Sequence, residues 1–192
     1  MNKEKFILIA KGVIKHLPVV NKYFNNRINE SQGTIESKYC YSVWMRHLKY
    51  WNTFNERVPE IIAELGPGAS LGIGLAALLS GSERLYALDA IKYWDSKRNL
   101  EIFEELIEFF TKKMNIPDNT ECPGIEPTLD DYGFPIKILC SNLLKETLAE
   151  NRLNAIRKEI LNIDNPENLF IKYYIPWYDS DIINNETVDF IY

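Results

Sequence analysis

A chain of 192 residues holds one sizeable domain, or a smaller one with an added helical segment. With 46% hydrophobic residues it can bury a core, which excludes global disorder, and a formal net charge of -5 argues against a broad basic face, so nucleic acid is not indicated as a partner. Cys40, Cys122 and Cys140 show neither CxxC spacing nor a companion histidine cluster, a pattern that points to a reducing, cytoplasmic setting and to no metal site.

In chain order, "MNKEKFILIAKGVIKHLPVV" reads as an amphipathic helix of the fold. Lys11 and Lys15 interrupt its apolar run and no small-residue cleavage pattern follows. No run in the chain approaches the roughly eighteen apolar residues of a membrane span. Residues 1–58 are expected to form an N-terminal helical segment. Within it Tyr41, Trp44, Leu48 and Trp51 recur at spacings of three and four, which marks one face of a helix. That helix is either glued by its aromatics to the main body or a lid over a cleft, with Arg46, His47 or Tyr50 as its polar tip. His47 is the leading candidate for a general base and His16 a weaker one; the pattern names no catalytic residue.

Pro59 opens a second texture, expected to run as one domain over 59–192. "EIIAEL" is too short for a helix and stops abruptly at Gly66-Pro67-Gly68, so it reads as a buried strand. "SLGIGLAALLSG" continues as a helix, with Ser70 as cap and Gly81 as stop. Gly72 and Gly74 within it cost on the order of 1 kcal/mol each against alanine, which points to close packing. "RLYALDA" is a second strand. Residues 96–166 are expected as a helical insertion: an amphipathic helix in "NLEIFEELIEFFTKKM", an irregular loop, then one long helix in "SNLLKETLAENRLNAIRKEIL". The tail returns to strand texture in "NLFIKYYIP", "WYDSDIINNET" and "VDFIY".

The chemistry concentrates after Leu65. A sharp turn and a ligand approaching main-chain N–H groups both favour residues without a Cβ at Gly66 and Gly68. The spacing departs from G-x-G-x-x-G, since the third position falls on Leu71, and no Lys follows as a P-loop requires. Pro67 stiffens the turn and removes a donor. A ligand with little or no phosphate is therefore preferred. Asp89, about twenty residues on, is placed to accept both hydroxyls of a ribose, or else to cap the next helix. Glu64 is a carboxylate in a buried strand, where a nearby cation or the turn's N–H groups would offset its desolvation. S-adenosylmethionine, with an ammonium, a sulfonium and no phosphate, fits this combination better than NAD does.

On "AELGPGASLGIGLAALL", "LYALDA" and "VDFIY" the chain resembles the class I S-adenosylmethionine-dependent methyltransferases, over about 59–90 and again at 188–192. The resemblance implies an α/β, Rossmann-like methyltransferase core with an incomplete parallel sheet, N-terminal helices and a helical insertion. It implies that Glu64, Gly66, Pro67 and Gly68 border the methionine part of the cofactor, that Asp89 binds the ribose, and that Ala90 or Ile91 packs near the adenine, with Tyr178 or Asp179 at its edge. Asp189 is expected inside the fourth strand and Tyr192 near the sulfonium. Family members continue past this strand, so the chain is expected to be C-terminally truncated, with self-association through an exposed sheet edge. The acceptor class is open, a small molecule or a saccharide-like compound. The alternatives are an inactive folded remnant or assembly module, and an NAD-linked reductase or epimerase.

Overall fold

A computed structural model describes residues 32–178, 182–184 and 187–192. The expected first helix, His16 and Asp179 lie outside the described residues. The chain divides into two units, Met1–Gln32 and Gly33–Tyr192, and every helix and strand named below belongs to the second. These are α1 (Ser37–Trp51), β1 (Ile61–Leu65), α2 (Gly72–Ser80), β2 (Arg84–Leu88), α3 (Ser96–Thr111), α4 (Ser141–Thr147), α5 (Glu150–Leu161), β3 (Ile171–Tyr174) and β4 (Phe190–Ile191). The four strands form one sheet in the order β3-β2-β1-β4, parallel throughout. The fold is mixed α/β, with an open, incomplete parallel sheet flanked by helices.

The central strands are short apolar runs in register, with Glu64 opposite Ala87 and Leu65 opposite Leu88. Alternation sends Ile62, Glu64, Leu85 and Ala87 to the face that α2 covers. Every residue of α2 is buried, because sheet, α1 and α3 enclose it. Its two glycines answer to different neighbours. A Cβ on Gly72 would stand 2.9 Å from Cys40 Cβ and 3.0 Å from Ile102 Cγ2, where α1 and α3 close in. A Cβ on Gly74 would stand 2.7 Å from Leu85 Cδ1 and 3.1 Å from Glu64 Oε2, against the sheet. Gly81, at φ 121°, ends the helix as expected. Ser70 serves it from one place further out: Leu71 is the capping residue, and Ser70 Oγ accepts the Gly72 N–H at 3.1 Å.

The aromatic face of α1 is core. Trp44 Nε1 donates to Ser80 Oγ at 2.7 Å, and Tyr41 Oη to the Met114 carbonyl at 2.6 Å. Arg46 is fully buried and donates to Ser42 Oγ, Asn119 Oδ1 and the carbonyls of Ile125 and Pro117, with its guanidinium over the Tyr132 ring. It thereby holds the loop after α3 against α1. The gluing reading of this helix stands, and the lid reading does not.

The insertion departs from expectation at one joint. The anticipated long helix from Ser141 is two helices, because the backbone turns extended at Ala149 (ψ 136°) before Glu150 starts α5. The break lets α4 pack on α2 while α5 reaches α3 and β3. In the tail, no described residue of "WYDSDIINNET" is in a strand. Its Asp, Ser and Asn residues disfavour a pleated, half-buried setting. Asp189 precedes β4 rather than lying inside it, and its Oδ2 accepts the Glu60 and Ile61 amides, each at 2.9 Å, closing the start of β1.

Candidate functional site

The carboxyl ends of β1, β2, β3 and β4 lie side by side, and Glu64, Asp89, Tyr174 and Tyr192 stand at or next to them. After Leu65 the chain bends through Gly66 and Gly68, both at φ 72°, a left-handed conformation that disfavours any residue with a Cβ. The Gly66 amide donates to the Leu88 carbonyl at 2.8 Å, so the turn leaves the sheet from a fixed point. A Cβ at Gly66 would meet nothing within 4 Å: the space beside this turn is open. Pro67 is buried and Gly68 half-buried.

Asp89 faces the turn. Its Oδ2 accepts the Gly68 amide at 3.3 Å, and its Oδ1 accepts the amides of Ala90 at 2.7 Å and Ile91 at 3.3 Å. Its main chain is pinned from the third strand, by its own amide to the Tyr174 carbonyl (3.2 Å) and by the Trp177 amide to its carbonyl (2.9 Å). Carboxylate, turn and β3 exit are thus one hydrogen-bonded unit. Ala90 and Ile91 are exposed at its rim, and so is Tyr178, at 83%.

The topology is Rossmann-like. A first strand, a glycine turn, a helix and a second strand ending in an acid form its opening unit, and in sheets of this topology ligands bind in the crevice outside the carboxyl ends of the strands, where the open space beside Gly66 lies. Compared with protein-family models, curated proteins and solved structures, the chain gives no significant match to any of the three.

Glu64 and Tyr192 sit deeper than this crevice. The Glu64 carboxyl is enclosed under the first turn of α2, and its Oε2 has no hydrogen-bond partner. Burial pushes its pKa up to about 8; the Tyr192 hydroxyl and the Gly74 amide act the other way, and the charge of Asp89 adds to the rise. The Tyr192 hydroxyl is likewise enclosed and makes no hydrogen bond of normal geometry, with the Glu64 carboxyl as its polar neighbour; burial, then that carboxyl, holds its pKa well above the usual phenol range. β4 carries it there through two strand-like bonds, Tyr192 N–H to the Ala63 carbonyl (3.1 Å) and Leu65 N–H to the Tyr192 carbonyl (3.0 Å). Tyr192 therefore points to the helix-covered face, beside Trp44 and His47, and its hydroxyl is not open to the crevice.

His47 packs on the rings of Phe190 and Tyr192, and burial lowers its pKa, which keeps it neutral. It belongs to the junction of α1 with β4 rather than to the turn. Among the described residues, no group of three or more His, Cys, Asp or Glu side chains could hold a metal ion, and no helix is long and apolar enough to cross a membrane.

Two supports of the site escaped the sequence reading. Asn99 Oδ1 accepts the Leu71 amide at 2.8 Å, and the Thr34 carbonyl accepts the Ser70 hydroxyl. Both partners are remote in sequence and carry no local motif. Tyr192 beside Glu64 was not read from the sequence either, where the resemblance set Tyr192 near the sulfonium; the parallel pairing of β4 with β1 brings the two together.

Proposed function

We propose that the Gly66–Gly68 turn and Asp89 bind S-adenosylmethionine, and that the chain is the cofactor-binding portion of a class I methyltransferase. The observation that carries this is the bond from the Gly68 amide to the Asp89 carboxylate across an open turn. The residues fit the group. The missing Cβ atoms leave space for a ligand against the main chain, and the Asp89 carboxylate favours a ligand with no phosphate.

In this reading the turn at Gly66, Pro67 and Gly68 shapes the berth of the methionine part. Asp89 takes the ribose hydroxyls while its backbone stays pinned to β3, and Ala90 and Tyr178 border the adenine. When bound, S-adenosylmethionine supplies an electrophilic methyl group for in-line attack by an acceptor. The chain contributes position, holding the cofactor fixed so that the encounter pays little further orientational entropy. We also propose self-association through the exposed sheet edge.

Titration calorimetry with S-adenosylmethionine and S-adenosylhomocysteine tests this, with NAD as control. Micromolar binding of the first two and none of the third is expected. Binding of NAD alone would transfer the site to the reductase reading, and no heat from any of the three in folded protein would remove the cofactor role.

A further inference from the structure

We propose that a cationic ligand at the Gly66–Gly68 turn drives ionisation of Glu64, so that binding releases one proton from the enclosed Glu64–Tyr192 pair. The inference rests on the cofactor reading above and adds to it a coupling between occupancy and pH.

The geometry that carries it is an enclosure. Glu64 Oε2 and Tyr192 Oη are buried side-chain atoms that make no hydrogen bond of normal geometry; their polar neighbours are each other and, for Glu64, the Gly74 amide in the first turn of α2. Gly74 permits the fit, since a Cβ there would stand 3.1 Å from Glu64 Oε2. The groups that face Glu64 are countable by element. β1 itself contributes no other titratable side chain. α1 contributes the Cys40 thiol, which burial and then Glu64 itself hold in its protonated form, and neutral His47 one layer further out, against Tyr192. α2 contributes only the Gly74 amide, β4 the Tyr192 hydroxyl, and the end of β2 the Asp89 carboxylate. Among the described residues, no cation stands with these groups. An ionised carboxyl here is left with one amide and one hydroxyl as support, and the neutral acid is the favoured state.

Asp89 shows that the crevice and the enclosure feel each other. Its charge acts on Glu64 in the direction that keeps the proton bound. A positive group seated in the open space beside Gly66 acts in the opposite direction and lowers the cost of the Glu64 anion. The step balances simply: the Glu64 O–H bond breaks heterolytically, the electron pair stays on the carboxylate, and the proton passes to solvent buffer. Linkage then requires that affinity for the cation rise with pH, by up to about tenfold per unit, until Glu64 is ionised in the empty site as well.

The test is calorimetric titration with S-adenosylmethionine near neutral pH in two buffers of different ionisation enthalpy, phosphate and Tris. The expected result is a buffer-dependent heat equivalent to nearly one proton released, and a buffer-independent heat for Glu64→Gln with binding retained. S-adenosylhomocysteine, which lacks the sulfonium charge, should release less. Equal heats in both buffers overturn the linkage and leave the cofactor reading intact; absence of any binding overturns both. An undiminished proton release from Glu64→Gln overturns the assignment to Glu64. If that variant does not fold, the pH dependence of the wild-type dissociation constant decides, a flat profile between about pH 6 and 8 counting against the proposal.

Discussion

The Gly68 amide and the Asp89 carboxylate meet at 3.3 Å, across a gap of twenty-one positions in the chain and one strand spacing in the sheet. Asp89→Ala should weaken S-adenosylmethionine binding by about 1–3 kcal/mol, the range for a charged hydrogen bond. Asp89→Asn should lose less, since its amide oxygen still accepts from the turn. Calorimetry on the two variants checks both; an unchanged affinity in Asp89→Ala removes the ribose role.

Gly74 and Gly66 should respond differently to alanine. At Gly74 the added methyl meets Leu85 and Glu64, and the overpacking should cost about 1–3 kcal/mol. At Gly66 nothing lies within 4 Å, so only the φ of 72° opposes the methyl, at roughly 1–2 kcal/mol. The second variant should keep the packing and fill the crevice. Urea denaturation with ligand titration separates the two: loss of stability dominates in Gly74→Ala, loss of binding in Gly66→Ala.

Stability should fall as pH rises. The Glu64 carboxyl is lifted from an ordinary 4.5 to about 8, so the folded state holds a proton that the unfolded chain has already released. The stabilisation is complete below about pH 4.5 and declines across the interval to about pH 8, by at most about 1.4 kcal/mol per unit. Beyond that interval Glu64 adds no further slope. Glu64→Gln should flatten this component and leave the variant the more stable of the two at pH 9. Denaturation midpoints across the range decide it; a slope that survives in Glu64→Gln must come from elsewhere.

Glu159 is nearly buried, and its carboxylate accepts the amides of Leu169, Phe170 and Ile171 at 2.7, 2.9 and 2.9 Å. It closes the start of β3 as Asp189 closes the start of β1. Glu159→Ala leaves these amides without their partner and should destabilise the fold by about 2–4 kcal/mol, with Glu159→Gln milder. Hydrogen exchange at Phe170 and Ile171 should rise first. Protection retained at both sites in Glu159→Ala would show that another acceptor replaces it.

Arg46 offers a sharper contrast. Its planar fork reaches two loop carbonyls and an amide oxygen that one ammonium cannot serve together. Arg46→Lys is therefore expected to destabilise by about 2–3 kcal/mol despite keeping the charge, a change thermal unfolding detects directly.

The strands at 61–65 and 84–88, the bend at Gly66 and the helix stop at Gly81 were legible because each follows from local chemistry. A short apolar run, a residue without a Cβ and a left-handed terminus need no distant partner to be recognised. The lid reading of α1, the unbroken helix after Ser141 and Asp189 inside β4 did not survive. Each depended on which surface a segment meets, and amphipathic spacing looks the same against a core as over a cleft.

The chain order of residues alone determined the α/β character, the turn after Leu65 and the acid at 89, because these are properties of neighbours along the backbone. Only the tertiary structure decided that Asp89 closes onto Gly68 and that Tyr192 and Glu64 share an enclosure under α2. Those meetings depend on strand order and parallel register, which bring residues from distant parts of the chain within a few ångströms, and no local pattern encodes that proximity.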